Sequence, residues 1–170
     1  YLQQLVALKM TPQEKAELQR KFGTGLFLQF SREPDLQPEG AQVAEAVAEA
    51  AYRAAQDPNR ITSLITKLSD PSVEVRLTAM EDLRPSGTAA VTALADLLGD
   101  TQRSAAQPTI RAALLKFQSI AHEPLIGYLD SENTNSLQQK EVVDLLGQLG
   151  HPRSTLYLVR LAVLGEPDSL

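Results

Sequence analysis

The sequence predicts an all-α protein built as about four stacked helical hairpins, and three observations lead there. Apolar residues make up 43% of the 170-residue chain but aromatic residues only 5%, with no Trp, so the core must be aliphatic; an Ala- and Leu-rich composition favours helix. Asp70, Asp100 and Asp130 recur 30 residues apart, and each closes an apolar segment. In the first two copies the apolar residues before that Asp fall at i, i+3, i+4 and i+7, one face of a short helix: Ile61, Leu64, Ile65, Leu68, then Val91, Leu94, Ala95, Leu98. The third copy keeps Ala121, Leu125, Tyr128 and Leu129 before Asp130.

Taken from the N-terminus, the chain opens at Tyr1 in a segment already patterned as helix by Leu2, Leu5 and Val6, with no initiator Met or signal-like start. It is therefore expected to be part of a longer polypeptide. Thr11-Pro12-Gln13-Glu14 is a capping box with Pro at the first helical position, which starts a helix through about Phe22. Gly23 and Gly25 interrupt or end it, and Leu26 to Phe30 continue an apolar run that is helical or extended. Ser31 to Gly40 reads as a loop, and Ala41 to Gln56 as an Ala-rich helix presenting Val43, Val47, Ala50, Ala51 and Ala54. Residues 1–57 thus form irregular helices, either a cap or a degenerate repeat, and 58–170 form the array, in units of about 58–87, 88–120, 121–150 and a partial 151–170.

Within the array each short helix is followed by a longer one. Asp57-Pro58 and Asp70-Pro71 read as N-cap plus Pro at the first position, where the missing N–H costs nothing. From Pro71 to Arg84, Val75, Ala79 and Leu83, flanked by Val73, Leu77 and Met80, form a wide buried stripe opposite Glu74, Thr78 and Glu81. Arg84-Pro85-Ser86-Gly87 ends that helix. The second long helix runs from about Ser104 to Ser119 with Ile110, Leu114, Leu115 and Phe117 inside, and the third from Ser136 to Leu149, stopped by Gly150. A last helix, Arg153 to Leu164, holds Leu156, Val159 and Val163. Each two-helix unit is too small to bury its own apolar face, so neighbours must stack along one continuous core.

The stretch Asp70 to Leu83, DPSVEVRLTAMEDL, resembles the second helix of a HEAT repeat of the bacterial, phycobilisome-lyase-like type. Val75-Arg76, Ala79 and Leu83 carry the match. Ile110-Arg111 repeats the pair, and Val142, Leu145, Leu146, Gly147, Leu149 and Gly150 match the end of the repeat. The resemblance spans about residues 58–164 and implies a right-handed α-solenoid of the armadillo-like kind, with second helices lining the concave face. That placement aims Glu74, Thr78, Glu81, Thr109, Ala113 and Lys116 at a partner protein. There are departures: Gln139 or Lys140 stands at the Arg position of the third copy, Asp82 replaces a small apolar residue, and the longer connection from Asp100 to Ile110 implies a local irregularity.

Catalytic chemistry is not indicated. Zero Cys removes disulfides and thiolate chemistry, two His leave little for metal or acid–base work, and a net charge of −5 speaks against nucleic-acid binding. His122-Glu123 lacks the second His that a zincin helix needs, since position 126 is Ile, and His122 reads as a solvent-facing helix-start residue. His151, between Gly150 and Pro152, reads as a turn residue at a helix end. Gly23-Thr24-Gly25 is an isolated G-x-G with no strand before it, better taken as helix termination than as a phosphate cradle. Glu14, Lys15, Glu17, Arg20 and Lys21 read as a solvated charged face. Glu33, Asp35, Glu39, Glu45, Glu49 and Asp57 outnumber Arg53, which serves solubility or a basic partner. The three periodic Asp residues read as caps rather than a metal ladder, and Arg76 and Arg111 as inter-unit pairing groups rather than phosphate ligands.

The expected function is a non-catalytic protein–protein interaction scaffold, with no catalytic residue, cofactor or metal, no nucleic acid and no membrane span. Chromophore lyases acting on bilins and HEAT-like DNA glycosylases are the alternatives that the resemblance keeps open. A soluble protein of the bacterial cytoplasm or periplasm is expected, and the sequence does not choose between the two.

Overall fold

A computed structural model describes residues 10–131 and 135–164. The helical pattern at Leu2, Leu5 and Val6 lies outside the described residues. The protein is all-α, and among the described residues there is no strand. The helices are α1 (Pro12–Phe30), α2 (Glu39–Ala55), α3 (Pro58–Lys67), α4 (Val73–Leu83), α5 (Gly87–Ala95), α6 (Gln107–Lys116), α7 (His122–Leu129), α8 (Ser136–Leu149) and α9 (Pro152–Leu164). Short 3-10 turns at Pro34–Leu36, Arg84–Ser86, Thr101–Ala106 and Gln118–Ala121 join them. The chain divides into two compact units between Arg60 and Ile61.

In the first unit the Thr11 capping box forms as expected: Thr11 Oγ1 accepts from Glu14 N at 3.3 Å, and Glu14 Oε2 accepts from Thr11 N at 2.7 Å. That pairing holds the Glu14 carboxyl below its usual value, chiefly through the Thr11 backbone bond. The helix does not stop at Phe22. It runs on to Phe30 across a kink at Gly23, whose φ of 76° and ψ of 158° interrupt the helical ladder without ending it. The run Leu26 to Phe30 is therefore helical, and Phe27 turns inward with its ring edge-on to Phe30 at 6.0 Å. Gln37 ties the following loop by donating its side-chain amide to Ser31 O at 3.0 Å. α2 then packs back on α1 through Val47, Ala50 and Ala55. Gly40 fixes how closely they meet: a Cβ there would lie 2.3 Å from the Phe30 carbonyl oxygen.

The second unit holds one continuous aliphatic core from Ile61 to Leu146. The two registered faces are buried in full, Ile61, Leu64, Ile65 and Leu68 beside Val91, Leu94, Ala95 and Leu98; Ala121, Leu125 and Leu129 continue them, with Tyr128 half-buried. Ile110, Leu114 and Phe117 on the α6 side and Val142, Leu145 and Leu146 on α8 close the core. α5 touches α7 and α7 touches α9, while α4 touches α6 and α6 touches α8. Helices alternate between these two rows along the chain.

Several expectations change. α3 begins at Pro58 with Asp57 Oδ1 accepting from Asn59 N, but Asp70 does not cap α4. Its Oδ1 accepts from Ser72 N at 2.8 Å in a tight turn, and Ser72 becomes the N-cap, accepting from Val75 N at 3.5 Å. Val73 and Leu77 are exposed, because burial on α4 centres on Ala79, Met80 and Leu83. The second long helix starts at Gln107 and not near Ser104; residues 101–106 form a 3-10 segment kinked at Arg103, the irregularity that the long connection implies. Asp100 caps that segment by accepting from Gln102 N, whereas Asp130 sits at the C-terminal end of α7 and caps no helix start. On α9, Leu156, Val159 and Val163 are 66%, 54% and 75% exposed. Among the described side chains of α9 Ser154 is buried, with Tyr157 and Leu158 half-buried against the core.

Removing a fully buried side chain leaves a cavity, so Leu125→Ala is expected to cost about 2–5 kcal/mol, measured by urea denaturation followed by circular dichroism. Gly40→Ala must move backbone rather than a flexible side-chain end, and is expected to cost about 1–3 kcal/mol in the same assay.

Candidate functional site

Polar side chains bridge each row of the second unit from one helix to the next. Along the α4, α6, α8 row, Lys116 of α6 pairs with Glu81 of α4, and Arg111 of α6 pairs with Glu141 of α8. Arg111 thus ties neighbouring units, as its position suggested. Arg76 does not: its guanidinium donates to the carbonyls of Asp70 and Pro71, at 2.7 and 3.0 Å, and braces its own turn.

The other row uses a different chemistry. An Asp at the C-terminal end of a helix is opposed by the helix dipole and needs a donor. Asp96, which ends α5, has Tyr128 of α7 as that donor, and Asp130, which ends α7, accepts from the Tyr157 hydroxyl of α9. Burial pushes the Tyr128 phenol up, and the Asp96 carboxylate beside it adds to the rise. The pattern of an Asp ending one helix and a Tyr on the next went unread in the sequence because Asp100, not Asp96, fits the 30-residue spacing. Arg153 of α9 also pairs with Glu123 of α7 at 2.9 Å.

Of the residues expected to face a partner, Glu74, Thr78 and Glu81 are exposed, and Thr109 and Lys116 are half-exposed. Ala113 is buried in the core and leaves the set, because on α6 it lies on the side packed beside Ile110 and Leu114. Glu81 and Lys116 come together at the rim of a shallow depression of about 420 Å³. Arg84, Pro85, Phe117, Gln118, Ser119 and Ile120 line the rest. Gln118 adopts a left-handed φ of 49°, and the turn holds Ile120 exposed beside the charged rim. Glu81 also meets Arg84 at 3.3 Å. Its carboxyl is held below the usual carboxylate value, first by Lys116 and then by Arg84. The arrangement brings one carboxylate and two cations beside Phe117 and Ile120.

His122 is not solvent-facing. It is 4% exposed, with Nδ1 and the Ser154 hydroxyl hydrogen-bonded at 2.9 Å and the His151 ring 4.2 Å away. Position at a helix start suggested exposure, but α9 folds over it. His151 caps α9 from its turn, its Nδ1 accepting from Arg153 N at 3.3 Å. Ser154 is fully buried, so this Ser–His contact is closed to a substrate. Gly23 makes the α1 kink and Gly25 continues the helix, with nothing within 4 Å of where a Cβ would stand at either. Arg53 pairs with Glu49 and Arg20 with Glu17 along exposed helix surface.

Among the described residues no three His, Asp or Glu side chains cluster to hold a metal ion, and no helix is long and apolar enough to cross a membrane. Comparison of the chain with protein-family models, curated proteins and solved structures returns no match.

Because Lys116 is the leading cause of the Glu81 shift, Lys116→Met is expected to raise the Glu81 carboxyl toward the usual value. Arg84→Met should raise it less. Carboxyl ¹³C chemical shifts followed against pH measure both.

Proposed function

We propose that this chain is a non-catalytic, HEAT-like α-solenoid scaffold that binds another protein along the α4, α6, α8 row. The observation that carries this reading is the pairing of helices with the next helix of their own row, one unit further along the chain. α4 meets α6 and α6 meets α8 through Glu81–Lys116 and Arg111–Glu141, while α5, α7 and α9 do the same through Asp–Tyr contacts. A stack of this kind repeats its surface as it repeats its core, and such surfaces bind extended partners. The resemblance of residues 70–83 to a HEAT second helix agrees with it. So does the chemistry: Glu74 and Thr78 stand free on α4, next to the depression at Glu81 and Lys116, where charged and apolar groups adjoin without a convergent nucleophile or base.

The test is affinity capture with the whole chain, followed by cross-linking to locate contacts. A partner held by the wild type, cross-linked to α4 or α6 and lost from the folded double variant Glu74→Lys, Thr78→Arg is the expected result. Equal capture by both forms, or cross-links confined to other helices, overturns the reading.

A further inference from the structure

Among the described side chains of α9, Ser154, Tyr157 and Leu158 turn to the core, and Leu156, Val159 and Val163 face outward. α7 and α8 are anchored by the fully buried Leu125, Leu145 and Leu146. At the centre of the α7–α9 contact lies an imidazole with almost no access to water: His122, on the Ser154 hydroxyl and against His151. Protonating that imidazole need not break the hydrogen bond, since a hydroxyl can accept as well as donate. The cost is a charge placed in a dry contact, 4.2 Å from a second imidazole.

We propose that the α7–α9 joint is a proton-operated latch: with the His122 imidazole neutral α9 stays docked on α7, and acidification through the histidine range releases α9 while the core from α3 to α8 stays folded.

The surrounding charges favour this outcome. Glu123, next in sequence on α7, is the carboxylate that could stabilise a protonated His122, but Arg153 from α9 already pairs with it. At the far end of α7, Asp96 from α5 and Asp130 are engaged by Tyr128 and Tyr157. On α8, Glu141 pairs with Arg111. Burial first, and His151 second, hold His122 below the ordinary histidine value, with Glu123 opposing. The sign follows: His122 takes up its proton more readily with α9 released than with α9 docked, so docking is complete above about pH 6.5 and weakens as pH falls from there toward the depressed value.

Hydrogen exchange of the full chain between pH 7.5 and 5.5, corrected for intrinsic exchange chemistry, tests it. Protection of α9 amides is expected to fall by up to about tenfold per pH unit below about pH 6.5, with α8 amides unchanged. His122→Asn, which keeps a polar group near Ser154 but cannot titrate in this range, should flatten the response. Constant α9 protection in the wild type, or the same loss in the variant, overturns the latch. If the variant does not fold, the Hε1 resonance of His122 in the wild type decides: a midpoint below 6.5 supports the latch, and one at or above 6.5 overturns it.

Discussion

The second unit depends on one constraint: no helical pair in it can finish its own core. Leu94 and Leu98 of the α5 segment are fully buried because helices such as α6 and α7 pack against it, and Leu125, Leu145 and Leu146 depend on neighbours in the same way. Burying each such side chain is worth about 1.5–3 kcal/mol, which outweighs the at most about 1 kcal/mol typical of an exposed ion pair. The apolar seam supplies cohesion. The polar bridges set which helix sits beside which and at what offset, because an Asp or Arg with a single suitable partner tolerates little sliding.

The two rows solve the same spacing problem with different groups. On one side charge meets charge, Glu81 with Lys116 and Arg111 with Glu141. On the other, an acidic residue is left at a helix end where the dipole disfavours it, and a phenol from the following helix supplies the missing donor. The first row is therefore joined by ion pairs, and the second by Asp–Tyr contacts together with the exposed Arg153–Glu123 pair.

Much of this was legible in the sequence wherever the deciding contact is local. The Thr11 capping box, Asp57-Pro58, the left-handed Gly150 and the span Ser136–Leu149 depend on neighbours within a few positions, and periodicity within each short helix located the registered core. Legibility fails where burial is decided by a helix about 30 residues away. His122 looks like an exposed helix start until α9 covers it, and Val73, Leu77, Leu156, Val159 and Val163 look like core until their helices are seen to turn another face inward. At the candidate site, exposure of Glu74, Thr78 and Glu81 followed from helical phase. The burial of Ala113 and the meeting of Glu81 with Lys116 did not, since both need the α4–α6 packing. Asp70 failed for a subtler reason: two competing acceptors stand side by side, and the Ser took the helix amides while the Asp took the turn.

The 3-10 connection after α5 is closed by an uncharged clasp. Gln107 donates its side-chain amide to Leu97 O at 2.8 Å and to Asp100 O at 3.3 Å, while its carbonyl accepts from Gly99 N at 3.3 Å. A primary amide neither titrates nor attracts counter-ions, so this clasp holds alike in brine, in dilute buffer and in mild acid. The protein thereby joins successive helices with two kinds of hardware, one indifferent to its medium and one, around the buried imidazole, that senses it. Changing surroundings would be felt first at the α7–α9 joint, while the connection after α5 stays as it is.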